Sequence, residues 1–300
     1  MTSKLRAAAR WAGRVALAAA LAVGLILAAA FNPQAIFAHH LRYGAYDVWS
    51  DRPIPAAAAR AVLDDATRRM ARSPLWSADQ RFRVFICNDN WRLALYSYRF
   101  SGRMGGATDT LLTRNVFLRE SDFATNRLIP PSRGRDMTDR PLSYYLAHEF
   151  THVMESRAFG LVPAARYPHW LLEGYADYVG KAGRFDYAAN LALLKAGAPE
   201  LDWKTSGLYR VFHLETAYYL DRQGWTVGQL FARRPSEREA LAAVLALPSG
   251  EGQAALAARV GKAGLSADSQ VLRFRALSRH FPTRPRFARP PSPLGGGKGI

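Results

Sequence analysis

Hydrophobic positions change their spacing several times along this chain, and each spacing predicts an element. Residues 15–41 carry no charged side chain, and Val15 to Phe31 is their apolar heart. Lys4, Arg6, Arg10 and Arg14 precede that run, and no acidic residue appears before Asp47. Such a pattern predicts a signal sequence or a signal anchor. The 17 strongly apolar residues are at the short limit of a bilayer span. Ala28-Ala29-Ala30 and Ile36-Phe37-Ala38 offer small residues for cleavage. The reading adopted is an uncleaved anchor over residues 1–38, with residue 39 onward outside the cytoplasm by the positive-inside rule.

Residues 41–55 read as an aromatic-rich linker with turn residues. After Pro55, Val62, Ala66 and Met70 recur every four residues with charges between them, the pattern of a surface helix. Phe82, Val84 and Ile86 then alternate, with Arg81 and Arg83 on the other side, which predicts a strand to Cys87. Helix followed by strand begins an α+β lobe. Trp91 to Tyr98 fits either a short helix or a strand, and Gly102, Gly105 and Gly106 predict a loop. A further loop over 126–140 leads to a helix from Pro141 to Phe159, with Asp139 as N-cap, Gly160 as stop, and Leu142, Tyr145, Leu146, Phe150, Val153 and Met154 as its buried stripe. Pro168 opens another helix that Gly180 ends. Helices are also predicted over 186–200 and from Tyr209 to Arg222, and a helical pattern continues over 226–278. Residues 281–300 are rich in Pro, Gly and Arg and predict a disordered basic tail, which leaves 39–280 as the folded domain.

Composition narrows the partners. A chain of 300 residues with 49% hydrophobic content can bury the core of one or two domains. A net charge of +17 suits nucleic acid, an anionic membrane surface, or an arginine-rich chain with no polyanionic partner. No nucleic-acid motif accompanies it, so no such partner is expected. Cys87 is the single cysteine and lies in an apolar run, which excludes an intramolecular disulfide and argues against a cysteine nucleophile.

The chemistry concentrates in His148-Glu149-Phe150-Thr151-His152. Imidazoles four residues apart share one face of a helix and can reach one metal ion, with the Glu149 carboxylate beside them. A catalytic zinc takes three protein ligands and keeps one position open, and Glu173 is the expected third ligand.

The run Trp170-Leu171-Leu172-Glu173-Gly174-Tyr175-Ala176-Asp177-Tyr178 following H-E-x-x-H resembles the gluzincin metallopeptidases, the clan of thermolysin and the zinc aminopeptidases. The resemblance covers residues 141–224. It implies a zincin-like two-lobe α+β fold: a small mixed sheet with the active-site helix, then a mainly helical C-terminal lobe. It implies a Zn2+ cofactor, Glu149 as general base, and a peptide or protein substrate. It further implies that Asp177, one turn after Glu173, hydrogen-bonds His148 and fixes its tautomer. An edge strand along the cleft would pair with the substrate backbone, and residues 115–119 are the candidate, against an ordinary core strand. A Tyr or His on the following helix would point into the cleft, so Tyr209 and His213 are candidates for the oxyanion donor, against simple packing. His169 is either a substrate contact or competing ligand, or a solvent-facing residue at a helix start. The glycine-rich motif and amine-binding glutamate of zinc aminopeptidases are not visible, which favours an endopeptidase. The expected protein is thus a membrane-tethered, extracytoplasmic zinc peptidase. The alternatives are a catalytically inactive zincin-fold binding module at the membrane or cell envelope, a structural zinc protein, and a zinc hydrolase of a non-peptide amide.

Overall fold

Two antiparallel strands stand where the sequence suggests a linker. β1 (His39–Tyr43) and β2 (Tyr46–Ser50) form a hairpin that turns at Gly44 with φ +53°, a conformation that glycine adopts without steric penalty. Tyr46, Val48 and Ser50 alternate inward. The burial is conferred by β3, a strand more than thirty residues further on, so the hairpin's own composition does not announce it.

The computed structural model describes residues 3–97, 104–130, 140–160 and 166–248. The predicted tail over 281–300, the helical reading of 250–278, and the proposed cap Asp139 lie outside them.

From β2 the chain enters α2 (Ala56–Met70), whose return places β3 (Phe82–Cys87) parallel to β2. α3 (Asn90–Tyr96) follows, so the ambiguous segment is helical. β5 (Val116–Arg119) lies parallel to β3, with Val84 opposite Val116 and Ile86 opposite Leu118. β4 (Gly106–Thr108) lies antiparallel to β5, and among the described residues the sheet order is β1-β2-β3-β5-β4. Two short strands, β6 (Ser121–Asp122) and β7 (Arg127–Leu128), form a separate ribbon. The strand expected at the cleft edge, residues 115–119, is therefore interior and flanked by β3 and β4. Among the described residues the sheet ends at β1 on one side and at β4 on the side nearer β5, and β4 is three residues long, too short to show a period.

The sheet is covered on both faces. Tyr46, Val48, Phe82, Val84, Ile86, Val116 and Leu118 join the core shared with α2 and with α4 (Leu142–Phe159). Phe85, Cys87 and Phe117 point the other way and pack with Leu93 and Tyr96 of α3 and with Phe37. That second cover explains why β3 alternates only at Arg83 and is buried thereafter. Buried Cys87 fits the inert core thiol expected of it.

The remaining described elements are helices: α5 (His169–Lys181), α6 (Tyr187–Lys195), α7 (Trp203–Ser206), α8 (Arg210–Ala217) with a π turn over Tyr218–Arg222, α9 (Val227–Arg233) and α10 (Glu237–Leu245). They follow the predicted order, with α6 shorter than expected because the chain leaves it at Ala196. α4 begins at a remote cap. Asn126 accepts from the Leu142 N–H through its backbone carbonyl at 2.8 Å and from the Ser143 N–H through Oδ1 at 2.9 Å. Packed between the sheet, α2 and α5, α4 is buried on nearly all sides rather than along one stripe.

Ahead of the domain runs α1 (Ser3–Phe31). Its segment Arg10–Phe31 is long and apolar enough to cross a membrane, with mean hydropathy 2.2, a test that signal sequences also pass.

Candidate metal centre

Every side chain of the H-E-x-x-H run is placed by α4. His148 and His152 stand one turn apart with ring centroids 5.0 Å apart and planes at 89°. α5 crosses beside them and delivers Glu173 from a glycine-dependent crossing. A Cβ on Gly174 would meet Phe212 O and Thr216 Oγ1 of α8 at 2.5 Å, so only glycine lets α5 lie that close. Glu173 Oε2 is 3.2 Å from His148 Nε2 and 3.8 Å from His152 Nε2. The donor atoms of the three residues lie within 4.8 Å of one another.

That spacing fits a metal ion. Two ligands at zinc distances on tetrahedral positions stand about 3.4 Å apart. Charge argues the same way. Burial disfavours protonation of His152, but the carboxylates of Glu155, Glu173 and Glu149 outweigh it and push its pKa up to about 10. Burial would raise Glu173, yet the hydrogen bond from His148 and the nearby imidazoles hold it at about 2. A cluster of carboxylates that presses a proton onto His152 is suited to a dication, which satisfies the same negative charge. His148, His152 and Glu173 could therefore hold a metal ion.

The imidazole partners differ from the expected ones. Asp177 does not reach His148. It is fully buried, accepts from the Tyr144 hydroxyl and from His213 Nδ1 (2.8 Å), and pairs with Lys181 Nζ at 2.8 Å. Burial alone would raise its pKa, but the Lys181 charge and the His213 hydrogen bond hold it well below the usual carboxylate range. Tyr144 takes the place expected of His148: it lies one turn before His148 on α4, its hydroxyl donates to Asp177, and its ring is 5.8 Å from that of His148. His148 Nδ1 is buried without a hydrogen-bond partner among the described residues. His152 is the histidine with a supporting carboxylate. Glu155 Oε2 lies 2.9 Å from His152 Nδ1, so this edge donates and Nε2 is left to face the metal position. Sequence reasoning missed Glu155, although His152 and Glu155 at i and i+3 on one helix face were the signal.

Glu149 is 7% exposed and held from the sheet edge. Thr108 Oγ1 donates to Glu149 Oε2 at 2.6 Å and contacts the Glu149 carbonyl at 3.0 Å. A Cβ on Gly106 would meet Glu149 Oε1 at 2.9 Å, so β4 lies directly against the carboxylate. No spacing in the sequence points to Thr108 or Gly106, because the contact joins a strand and a helix about forty residues apart.

Of the two oxyanion candidates, one is at the site. Tyr209 caps α8, half-buried, with its ring stacked on His148 at 5.9 Å and 7°. His213 is not there. It is 3% exposed, bonded to Asp177, and stacked on Phe185 at 3.7 Å, so it is a buried packing and hydrogen-bonding residue. Burial lowers its pKa more than Asp177 raises it. One helical turn separates Tyr209 from His213, enough to take the second residue from the cleft into the core. His169 is exposed, with Nε2 at 3.6 Å from Glu173 Oε1 and its ring among Trp203, Tyr209 and Phe212. It therefore stands at the rim of the centre and not away from it.

No protein-family profile, curated protein or solved structure matches the chain.

Proposed function

We propose that this protein is a membrane-tethered, zinc-dependent peptide-bond hydrolase with a zincin-like two-lobe fold, its domain on the extracytoplasmic side. The carrying observation is the convergence of His148, His152 and Glu173 with Glu149, whose carboxylate is held by Thr108 of β4. A zinc ion held by the three ligands would supply Lewis acidity toward a carbonyl oxygen and acidify a water.

The chain's own groups supply the remaining steps. Glu149 accepts the proton of the attacking water at a carboxylate oxygen and returns it to the departing amine nitrogen. Thr108 keeps that carboxylate in one rotamer. β4 binds the extended substrate. Arg119 N–H donates to Gly105 O and Asp109 N–H to Asn115 O, so alternate residues face β5 and the N–H and C=O groups of Gly106 and Thr108 face away from it, along an edge that pairs with no other strand among the described residues. Tyr209, stacked over His148, is the candidate donor to the oxyanion.

The test is cleavage of a peptide library by the full-length protein in detergent, run with Glu149→Gln, with Glu173→Ala and with a zinc chelator. Glu149→Gln should abolish cleavage and keep stoichiometric zinc, Glu173→Ala should lose the metal, and chelation should stop the wild type. A Glu149→Gln protein that cleaves at the wild-type rate would overturn the general-base assignment.

A further inference from the structure

The connector between α1 and the domain is folded, not loose. Asn32 bonds Ala28 O through both its backbone N–H and Nδ2 at 3.0 Å, residues 33–36 form one 3-10 turn, and Phe37 N–H donates to Gln34 O at 3.1 Å. Phe37 is then buried 5.0 Å from Phe85 and 6.4 Å from Tyr96, ring to ring. α3 is fastened to the same segment: Arg92 Nε donates to Ile36 O at 3.3 Å, and its guanidinium lies over Phe37 at 5.8 Å and over Trp91 at 4.5 Å. Trp91 and Leu95, one turn apart on α3, nevertheless expose 53% and 44% of their surface, and Ile36 beside them exposes 36%. Isolated exposed apolar residues need no explanation; these continue an apolar span.

Geometry identifies the occupant of this face. Ile36 is five residues past Phe31, where the apolar helix ends, and a path of that length at 3-10 spacing rises at most about 10 Å. The headgroup layer of a bilayer is about 5–8 Å deep on each side. A span ending at the hydrocarbon boundary therefore leaves Ile36, and α3 fastened to it, at the outer side of the headgroup layer, within reach of tryptophan and arginine side chains that favour that layer.

Resting on the tethered reading of α1, we propose that the outer face of α3, with Trp91, Leu95 and Ile36, is seated in the lipid interface of the bilayer that α1 crosses. The domain is then held in a fixed pose rather than swinging on a tether. Because α3 packs against β4 and β5, the sheet edge beside Glu149 is carried near the membrane surface, which favours the membrane-proximal segments of other proteins as substrates.

The test reconstitutes the full chain in anionic phospholipid vesicles with an environment-sensitive fluorophore on Trp91→Cys, Leu95→Cys or, as a solvent reference, Leu245→Cys on α10; buried Cys87 stays unlabelled. Lipids bearing a nitroxide should quench positions 91 and 95 several-fold more than 245, and aqueous iodide should show the reverse. Positions 91 and 95 quenched by iodide as readily as 245, in a chain that resists alkaline extraction, would overturn the seating and leave the anchor standing. Shielding from both quenchers would show a protein on that face and overturn it too. Extraction of the chain by alkali would remove the anchor reading and the seating together, while the cleavage assay stands independently of either.

Discussion

Single side chains in this protein carry unlike demands. Glu149, Glu155 and Glu173 are acids kept among imidazoles, and each has a hydrogen-bond partner for its carboxylate. Glu215 on α8 does not. It is fully buried, both its oxygens lack hydrogen-bond partners among the described residues, and burial, with a smaller contribution from the Glu237 charge, pushes its pKa up to about 9. Its carboxyl stays protonated in the folded chain while an unfolded chain ionises it near the ordinary 4.5. The folded state then binds the extra proton, so Glu215 erodes stability as pH rises from about 4.5 to 9, by up to about 1.4 kcal/mol per pH unit. Glu215→Gln should flatten that slope and raise the melting temperature at pH 8 more than at pH 5. Equal shifts at both pH values would show that Glu215 is not the titrating group. The H-E-x-x-H residues were legible because their message is local: residue type and a spacing of four. Asp177 was misassigned for a matching reason. Its spacing from Glu173 was right, but its partners on the neighbouring helices are Tyr144 and His213, which no spacing along its own helix reveals.

Elements act on the site in pairs. Asp177 on α5, Tyr144 on α4 and His213 on α8 form one buried polar contact, and each stands one turn from a residue of the centre: Glu173, His148 and Tyr209. The network therefore fixes the relative heights of the helices that carry them, a role for His213 and Asp177 that differs from the expected ones. The strand beside α4 sets Glu149. Gly106→Val should disturb it, since an added Cβ meets Leu118 Cδ2 at 2.5 Å and Glu149 Oε1 at 2.9 Å. We expect kcat to fall at least as far as when a positioned general base is lost, about 10²-fold, with zinc content unchanged. Wild-type kcat in Gly106→Val would show that β4 does not position the base. Helices were legible as elements because each long run displays its own period, whereas β4 is three residues long and owes its existence to β5.

Across the whole molecule, the sheet separates two covers. One holds α2 and α4 with the candidate metal centre; the other holds α3 and the Phe37 segment that joins the domain to α1. Phe37→Ala removes a ring packed on Phe85 and Tyr96 and should lower unfolding stability by about 3–5 kcal/mol, measured by denaturant titration of the detergent-solubilised protein. A loss below about 1 kcal/mol would show the plug to be superficial. By itself the sequence determined the α+β order, the helix bearing His148, Glu149 and His152, the second helix bearing Glu173, and the apolar N-terminal segment. Each of these follows from periods and short spacings that neighbouring residues impose on one another. Tertiary structure alone decided that residues 39–50 pair as strands, that 116–119 is interior, that Thr108 holds Glu149, and that Tyr209 stays at the centre while His213 is buried. Those outcomes depend on which distant surfaces meet, and a burial partner or hydrogen-bond acceptor supplied from forty residues away leaves no local period to read.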